Sequence, residues 1–437
     1  MRCLVYFLLS TALCSPLHRR ESENLPEILA RLLSASTNYT KTTQAEISTL
    51  SARISDLTTG KITPIKTMHS ALSILPTLQN TTSLQRAISL VSAGLVPPNI
   101  LSLLNPNPIN SYTNANSPPK TPIYPKSNTD APYDIPEPTL RSALYIPPSF
   151  TCTKIPILLV PGTADPAGTT FSFNYARILE TPTTTPAWVN IPDLSLSDIQ
   201  DNAQYIAYAI NYLSTECGRQ IAVLGWSQGA LDIQWVLKYW PSTRASVSDF
   251  LAVSGDFHGT VVESLCVFDE GVCTPSIRQQ GFESAFVRAL RGEGGDSAYV
   301  ATTSVFSAVD AVVRPVRGDG ASGVLRDERG VGVSSTVVQD VCAGEAGGGY
   351  YSHSGMLVNP LVYALFMDAL GHEGPGRAER VDLGVCRESL APGLEVGDFL
   401  GMEALSDLLG PIQVLLYGSE KGDWGREPVL REYVQRV

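Results

Sequence analysis

The sequence predicts an α/β fold, a mostly parallel sheet flanked by helices, with an N-terminal helical extension. Three observations predict it. Strands and helices alternate from Cys152 onward, one strand passes into one helix through a Gly-x-Ser-x-Gly turn, and the first hundred residues carry apolar stripes at helical spacing. The chain has 437 residues, room for one large domain and a second module. With 43% hydrophobic and 17% charged residues it can build a large core, which a disordered acidic chain could not. The formal net charge of −11, with no Lys/Arg-rich run, argues against a nucleic-acid partner.

Residues 1–15 read as an export signal. Arg2 precedes the apolar run Leu4–Leu13, with small residues ahead of a cut near Cys14 or Ser15. The run is too short to cross a bilayer, and no later segment reads as a membrane span. The protein is thus expected to be secreted. Two glycosylation sequons, at Asn38 and Asn80, agree with export. Of eight cysteines, Cys3 and Cys14 fall in or at the edge of the signal. The remaining Cys152, Cys217, Cys266, Cys273, Cys342 and Cys386 are an even set, expected to form three disulfides. None forms a CxxC pair, so no zinc site, and no cofactor of any kind, is called for.

Residues 16–105 are expected to form a helical module or pro-region. Pro26 suits a first helical turn before Ile28, Leu29, Leu32 and Leu33. Ile47, Leu50, Ile54 and Leu57 make a second stripe, and Ser83 is placed to cap a third helix ending near Gly94. Residues 106–150, dense in proline, read as an extended linker poor in core residues. The domain at 151–437 begins with a buried strand, Ile155–Val160. A helix at Ile199–Leu213, a strand at Ile221–Leu224, a helix at Gln228–Tyr239, strands at Phe250–Val253 and Ala298–Ser307, and a helix at Leu357–Leu370 follow.

Gly225-Trp226-Ser227-Gln228-Gly229 lies between the strand at 221–224 and the helix at 228–239. This context makes the motif a nucleophile elbow, with Ser227 at the tip of a strained turn. A serine nucleophile needs a base, and the base an orienting acid. Five histidines make the search short. His18 and His69 precede the serine, His258 comes too early, and His372 stands at a helix end. His353 follows a glycine run and precedes a helix, and is the chosen base. Asp310, just beyond a strand, is preferred as the acid over Asp256, which also follows a strand end. The oxyanion donors are expected at Gln228 and, after the first strand of the domain, at Thr163.

These residues resemble those of the fungal lipases like Candida antarctica lipase B, in the α/β-hydrolase superfamily. The resemblance runs from Lys154 to about Gly418. Its anchors are Ile157–Thr163, Trp226–Gly229, Gly255-Asp256-Phe257, Thr302-Thr303 with Ser307–Asp310, and His353-Ser354-Gly355. It implies a carboxylic ester hydrolase, a lipase acting on lipid esters through an acyl-serine, with Ser227, Asp310 and His353 as the triad and Thr163 and Gln228 as oxyanion donors. Trp226, Asp256 and Asp165 would lie at the substrate pocket. Gly259–Leu290 and Phe399–Leu416 would border its entrance. A monomer that touches the lipid–water interface only transiently is expected.

The departures bear on specificity and bonding. Ala164 replaces a family glycine and Asp165 a pocket threonine. The family's first disulfide would join Cys152 to the position of Ala187, which leaves Cys217 as the alternative partner. Cys342–Cys386 matches a family bond, and Cys266 and Cys273 are close enough to staple the entrance loop. A short-chain esterase or acyltransferase would use the same triad. A non-catalytic surface-binding protein is the reading from another class, resting on the tripeptide Arg317-Gly318-Asp319. The GxGxxG spelled by 318–323 lacks the strand and helix of a dinucleotide site. The apolar stripes of the N-terminal module are expected to pack near the entrance as a restraining pro-region, so that a chain starting near Phe150 would fold and work by itself.

Overall fold

The computed structural model describes residues 28–30, 41–78, 82–104, 107–261, 273–318, 320–421 and 426–436. The expected export signal, Asn38, Asn80, Cys266 and Asp319 lie outside the described residues.

Two N-terminal helices fulfil the stripe pattern. Helix α1, Lys41–Thr58, buries Ile47, Leu50, Ile54 and Leu57. Helix α2, Ser83–Ser92, buries Leu84, Ala87, Leu90 and Val91. Its cap is Thr82, one residue before the expected Ser83. The Thr82 side chain accepts from Gln85 N.

The stretch read as a linker is packed. Ile123, Ala131, Leu140, Ala143 and Leu144 are buried in the main core. Ile109 O accepts from Trp188 Nε1 at 2.8 Å and Asn190 Nδ2 at 3.0 Å, and Tyr124 stacks on Tyr133 at 4.9 Å. Proline composition fixes an extended backbone but does not keep side chains out of a core. Here asparagine side chains satisfy the extended backbone: Asn114 Nδ2 reaches Ser142 O and Asn116 Nδ2 reaches Arg141 O, both at 2.9 Å.

The stretch ends in strand β1, Leu144–Tyr145, which pairs antiparallel with β3, Thr184–Val189. Strand β2, Ile155–Val160, lies beside β3 on one side and β4, Ile221–Trp226, on the other. Helix α3, Ile199–Cys217, precedes β4, and α4, Gln228–Tyr239, follows it. Strands β5, Val247–Val253, β6, Thr302–Phe306, and β7, Val333–Val337, complete a seven-stranded sheet in the order β1-β3-β2-β4-β5-β6-β7. All pairs except β1–β3 are parallel. Helices α5, Pro360–Gly371, α6, Val396–Ala404, and α7, Gly410–Lys421, follow, with a π-helical turn, Leu405–Leu409, joining the last two.

Three strands escaped the sequence reading. Thr184–Val189 opens on threonines and contains Pro186, Val333–Val337 is Ser/Thr-rich, and β1 is two residues long. None shows the apolar run or strict alternation that marks a strand.

Alternate residues of the sheet feed two cores. Leu158, Val160 and Val223 face α3 and α4. Ile157, Leu159 and Leu224 join a cluster that continues through Leu361 and Leu365 of α5, Phe399 of α6 and Leu415 of α7 to Ile47, Leu84 and Leu90 of the N-terminal helices. The N-terminal module therefore shares a core with the C-terminal helices. Each large apolar side chain so buried contributes roughly 1.5–3 kcal/mol. A chain shortened to start near Phe150 is expected to be insoluble, because it loses α1, α2 and β1 together. Soluble expression with a sharp thermal transition would show the core closing without them.

Residues 396–418 also amend the membrane reading. By length and a mean hydropathy of 1.3 they match a spanning helix, yet 78% of the window is buried inside the fold. This is an apolar core helix.

Cys152 pairs with Cys217 and Cys342 with Cys386, at Cα separations of 4.9 and 5.2 Å. Cys273 is also disulfide-bonded. In the chain-entropy model, loops of 65 and 44 residues stabilise the fold by about 4 kcal/mol each. Peptide mapping without reduction is expected to recover both bonds, and a free thiol at Cys342 would contradict them.

Candidate active site

The site forms where β2 and β4 end side by side, with Val160 opposite Gly225. Ser227 occupies the turn from β4 into α4 at φ 56°, ψ −128°, a left-handed φ that a serine adopts only under constraint. The constraint is tight packing. A Cβ on Gly229 would lie 2.5 Å from Val160 O, and one on Gly225 would lie 2.7 Å from the Ala230 backbone. Ser227 N donates to Val253 O at 3.0 Å, tying the turn to β5. The N-terminus of α4 therefore starts at the serine and places its unpaired N–H groups and dipole there.

His353 lies in the loop before α5. Its Nδ1 is 2.7 Å from Asp310 Oδ2, and both side chains are buried. The Asp310 Oδ1 accepts from Val312 N and Val313 N at 2.7 and 2.9 Å, so the carboxylate is fixed. The His353 carbonyl accepts from Trp226 Nε1 at 3.4 Å, and the two rings lie 5.5 Å apart. The elbow and the histidine loop thus meet through adjacent residues. Burial pulls the His353 ring down, but the charge and hydrogen bond of Asp310, helped by Asp256, overcome it and hold the ring above the ordinary histidine value.

The other acid sits close by but is not paired. Asp256 is fully buried after β5, and neither oxygen has a partner on another of the described residues. Burial pushes it up to about 7. Asp165 is likewise buried, its Oδ1 has no partner among the described residues, and burial pushes it up to about 8. Trp226 is buried too. His372, by contrast, is exposed at the end of α5 and pairs with Asp368 at 3.1 Å. Arg317 of the adhesion-like tripeptide is engaged with Asp340.

Around the expected oxyanion donors the structure adds residues that the sequence reading missed. The Thr163 hydroxyl donates to Gln228 Oε1 at 2.6 Å, and Gln280 Nε2 lies 3.0 Å from Thr163 Oγ1 and 2.9 Å from Gln228 Oε1. Gln228 Nε2 donates to Ser195 O at 3.0 Å, and Ala164 N to Leu194 O at 2.9 Å. Asp193, Leu194 and Ser195 are three consecutive residues with positive φ, and Ala164 is a fourth. A strained loop therefore backs the loop that carries Thr163, and Gln280 locks Thr163 and Gln228, the two expected donors, together. Nothing in the local sequence marks Gln280 or residues 193–195.

The parallel sheet, the elbow at Ser227 and the Asp310–His353 pair define a protein of the α/β-hydrolase class. No family model matches the chain. It is 39% identical to Lipase B of Pseudozyma antarctica over 162 residues, 37% of this chain and 47% of that protein, so the match spans about half the relative's length. It is 42% identical to the solved Aspergillus fumigatus lipase B, with a TM-score of 0.87, covering 94% of this chain and all of that one. The chain belongs to the lipase B family, a family of carboxylic ester hydrolases.

If Asp310 is the orienting acid, Asp310→Asn is expected to lower kcat by up to about 10⁴ and Asp256→Asn far less. A histidine base works only when neutral, so with His353 in that role kcat/KM should rise with pH through its pKa, above the ordinary histidine value. Removing the Asp310 charge should move that acid limb to lower pH. A pH–rate profile of both variants checks this, and a reversed ranking would transfer the acid role to Asp256.

Proposed function

We propose that the protein is a secreted lipase that cleaves acylglycerols or other lipid esters through an acyl-serine intermediate. The observation that carries this reading is the buried Asp310–His353 hydrogen bond beside the strained turn at Ser227. Membership of the lipase B family supports the reaction class, and the disulfides agree with export.

In this reading Ser227 Oγ attacks the ester carbonyl while His353 Nε2 takes its proton. Asp310 holds Nδ1–H, which fixes the tautomer and stabilises the imidazolium. The oxyanion is met by the backbone N–H groups of Gln228 and Thr163, pre-set by the Gln280 network. His353 returns the proton to the leaving alcohol, and water repeats the cycle to release the acid. No step draws on a metal or cofactor.

The purified protein assayed on p-nitrophenyl esters of increasing chain length tests the reading. Turnover of long-chain esters, abolished by a fluorophosphonate that labels Ser227, is the expected result. Activity confined to the shortest esters would make it a short-chain esterase. A protein that neither turns over esters nor takes the probe would refute the hydrolase reading.

A further inference from the structure

His353 stands between two serines whose hydroxyls reach the same atom. Ser352 Oγ and Ser354 Oγ both donate to Glu403 Oε1, the latter at 3.0 Å. Ser352 Oγ also accepts from Gly355 N at 2.9 Å, which closes the turn carrying the histidine. Glu403 projects from α6 and is fully buried, as are its apolar chain neighbours Phe399, Met402 and Leu408. A Cβ on Gly355 would lie 3.0 Å from Phe399 Cε2 and 3.3 Å from Glu403 Oε1, so turn and helix are in direct contact.

The second oxygen of Glu403 has no hydrogen-bond partner among the described residues, and the Arg86 guanidinium faces it at 3.9 Å. Arg86 comes from α2, in the N-terminal module, and its Nε donates to Asp407 Oδ2 at 2.8 Å. Burial, with Asp407 adding to it, pushes the Glu403 carboxyl well above the usual range, and Arg86 works against this. A fully buried carboxyl is costly to keep. The hydrogen bonds it makes go to the two residues that bracket the histidine.

We propose that Glu403 is a positioning residue for His353, and that Arg86, reaching in from the N-terminal module, is the cation that holds Glu403 in place. The proposal rests on His353 being the base of the reaction above. Asp310 and Trp226 fix the ring and carbonyl of His353 from one side. Glu403 fixes the backbone on both sides of it through Ser352 and Ser354. Without that anchor the turn at 352–355 gains freedom, and the ring is no longer held in one place beside the elbow. Proton transfer is sensitive to displacements of an ångström, whereas Glu403 itself is fully buried and offers no surface to a substrate. The module is then part of the catalytic architecture, where the sequence reading had made it a removable restraint.

The test uses the full chain. Glu403→Gln keeps an acceptor oxygen for both hydroxyls, and Glu403→Leu does not. Glu403→Leu is expected to lower kcat by about 30-fold or more with KM within about threefold, and Glu403→Gln to stay within about threefold of the parent in both. Arg86→Met should lower kcat by about tenfold, and Arg86→Met combined with Glu403→Gln should recover most of it. Parental kcat in Glu403→Leu, equal losses in the Leu and Gln variants, or a loss carried by KM would overturn the proposal. Should Glu403→Leu fail to fold, the pair Ser352→Ala and Ser354→Ala removes the same hydrogen bonds with the buried charges left in place. It should show the same kcat loss, and an unchanged kcat would refute the idea. The Ser227→Ala variant separates the two levels. If it stays active, the hydrolase reading falls, whereas a dead Ser227→Ala beside a fully active Glu403→Leu removes only the positioning role.

Discussion

Ser227→Ala is expected to abolish ester hydrolysis, with kcat falling by roughly 10⁴ or more, while the fold stays intact. The size of the effect follows from the chemistry. In the proposed mechanism there is no acyl-enzyme without Oγ, and what remains is the stabilisation that the oxyanion donors would give to direct attack by water. The fold should survive because the turn is held by its surroundings: by Gly229 packed on Val160 and Pro161, and by the bond from residue 227 N to Val253 O. Alanine meets the same steric cost at a left-handed φ as serine does, so little stability is lost or gained. The measurement is turnover on an activated ester beside a thermal melt. Near-normal turnover by the folded variant would remove Ser227 from the role of nucleophile.

His353→Ala should be as damaging as the serine change, and His372→Ala should leave turnover close to the parent's. Both histidines contact a carboxylate, but the settings differ. His353 is 6% exposed and its partner Asp310 2%, beside the elbow. The His372 side chain is 56% exposed at a helix end, and its partner Asp368 is already held by Arg380. An exposed pair of this kind contributes little. Because nucleophile and base act as a unit, combining His353→Ala with Ser227→Ala should cost little more than either change. Equal activity of the two histidine variants would show that the base lies elsewhere.

The elements that were legible in the sequence are those with a local signature. Gln228–Tyr239 was read to the residue, and Ile155–Val160 likewise, because an apolar run or a Gly-bounded elbow marks each. The pairing of Asp310 with His353 was legible because chain order and strand ends narrow the choice among few acids and fewer histidines. Gln280, Glu403 and Arg86 were not. Each acts through a partner between 49 and 321 residues away in the chain, and glutamine, glutamate and arginine carry no motif by themselves. The one clue was a lone acid pair, Glu403 and Asp407, inside an otherwise apolar stretch. The strand at Thr184–Val189 was hidden by its threonines and proline, which are tolerated because pairing with β1 and β2 supplies the context.

The contact between α2 and the π-helical turn at 405–409 also bears on how the chain reaches its native state. Arg86 and Asp407 are 321 positions apart, and their helices close one continuous core. A chain emerging from the ribosome or a translocation pore amino end first has made α1 and α2 long before α6 and α7 exist to cover them. The apolar faces of the early helices must wait, guarded by chaperones or by one another. Folding of this protein should therefore finish late and slowly, as a topology rich in such distant contacts requires. Refolding from denaturant should show a final slow step in which activity returns together with burial of the α2 face.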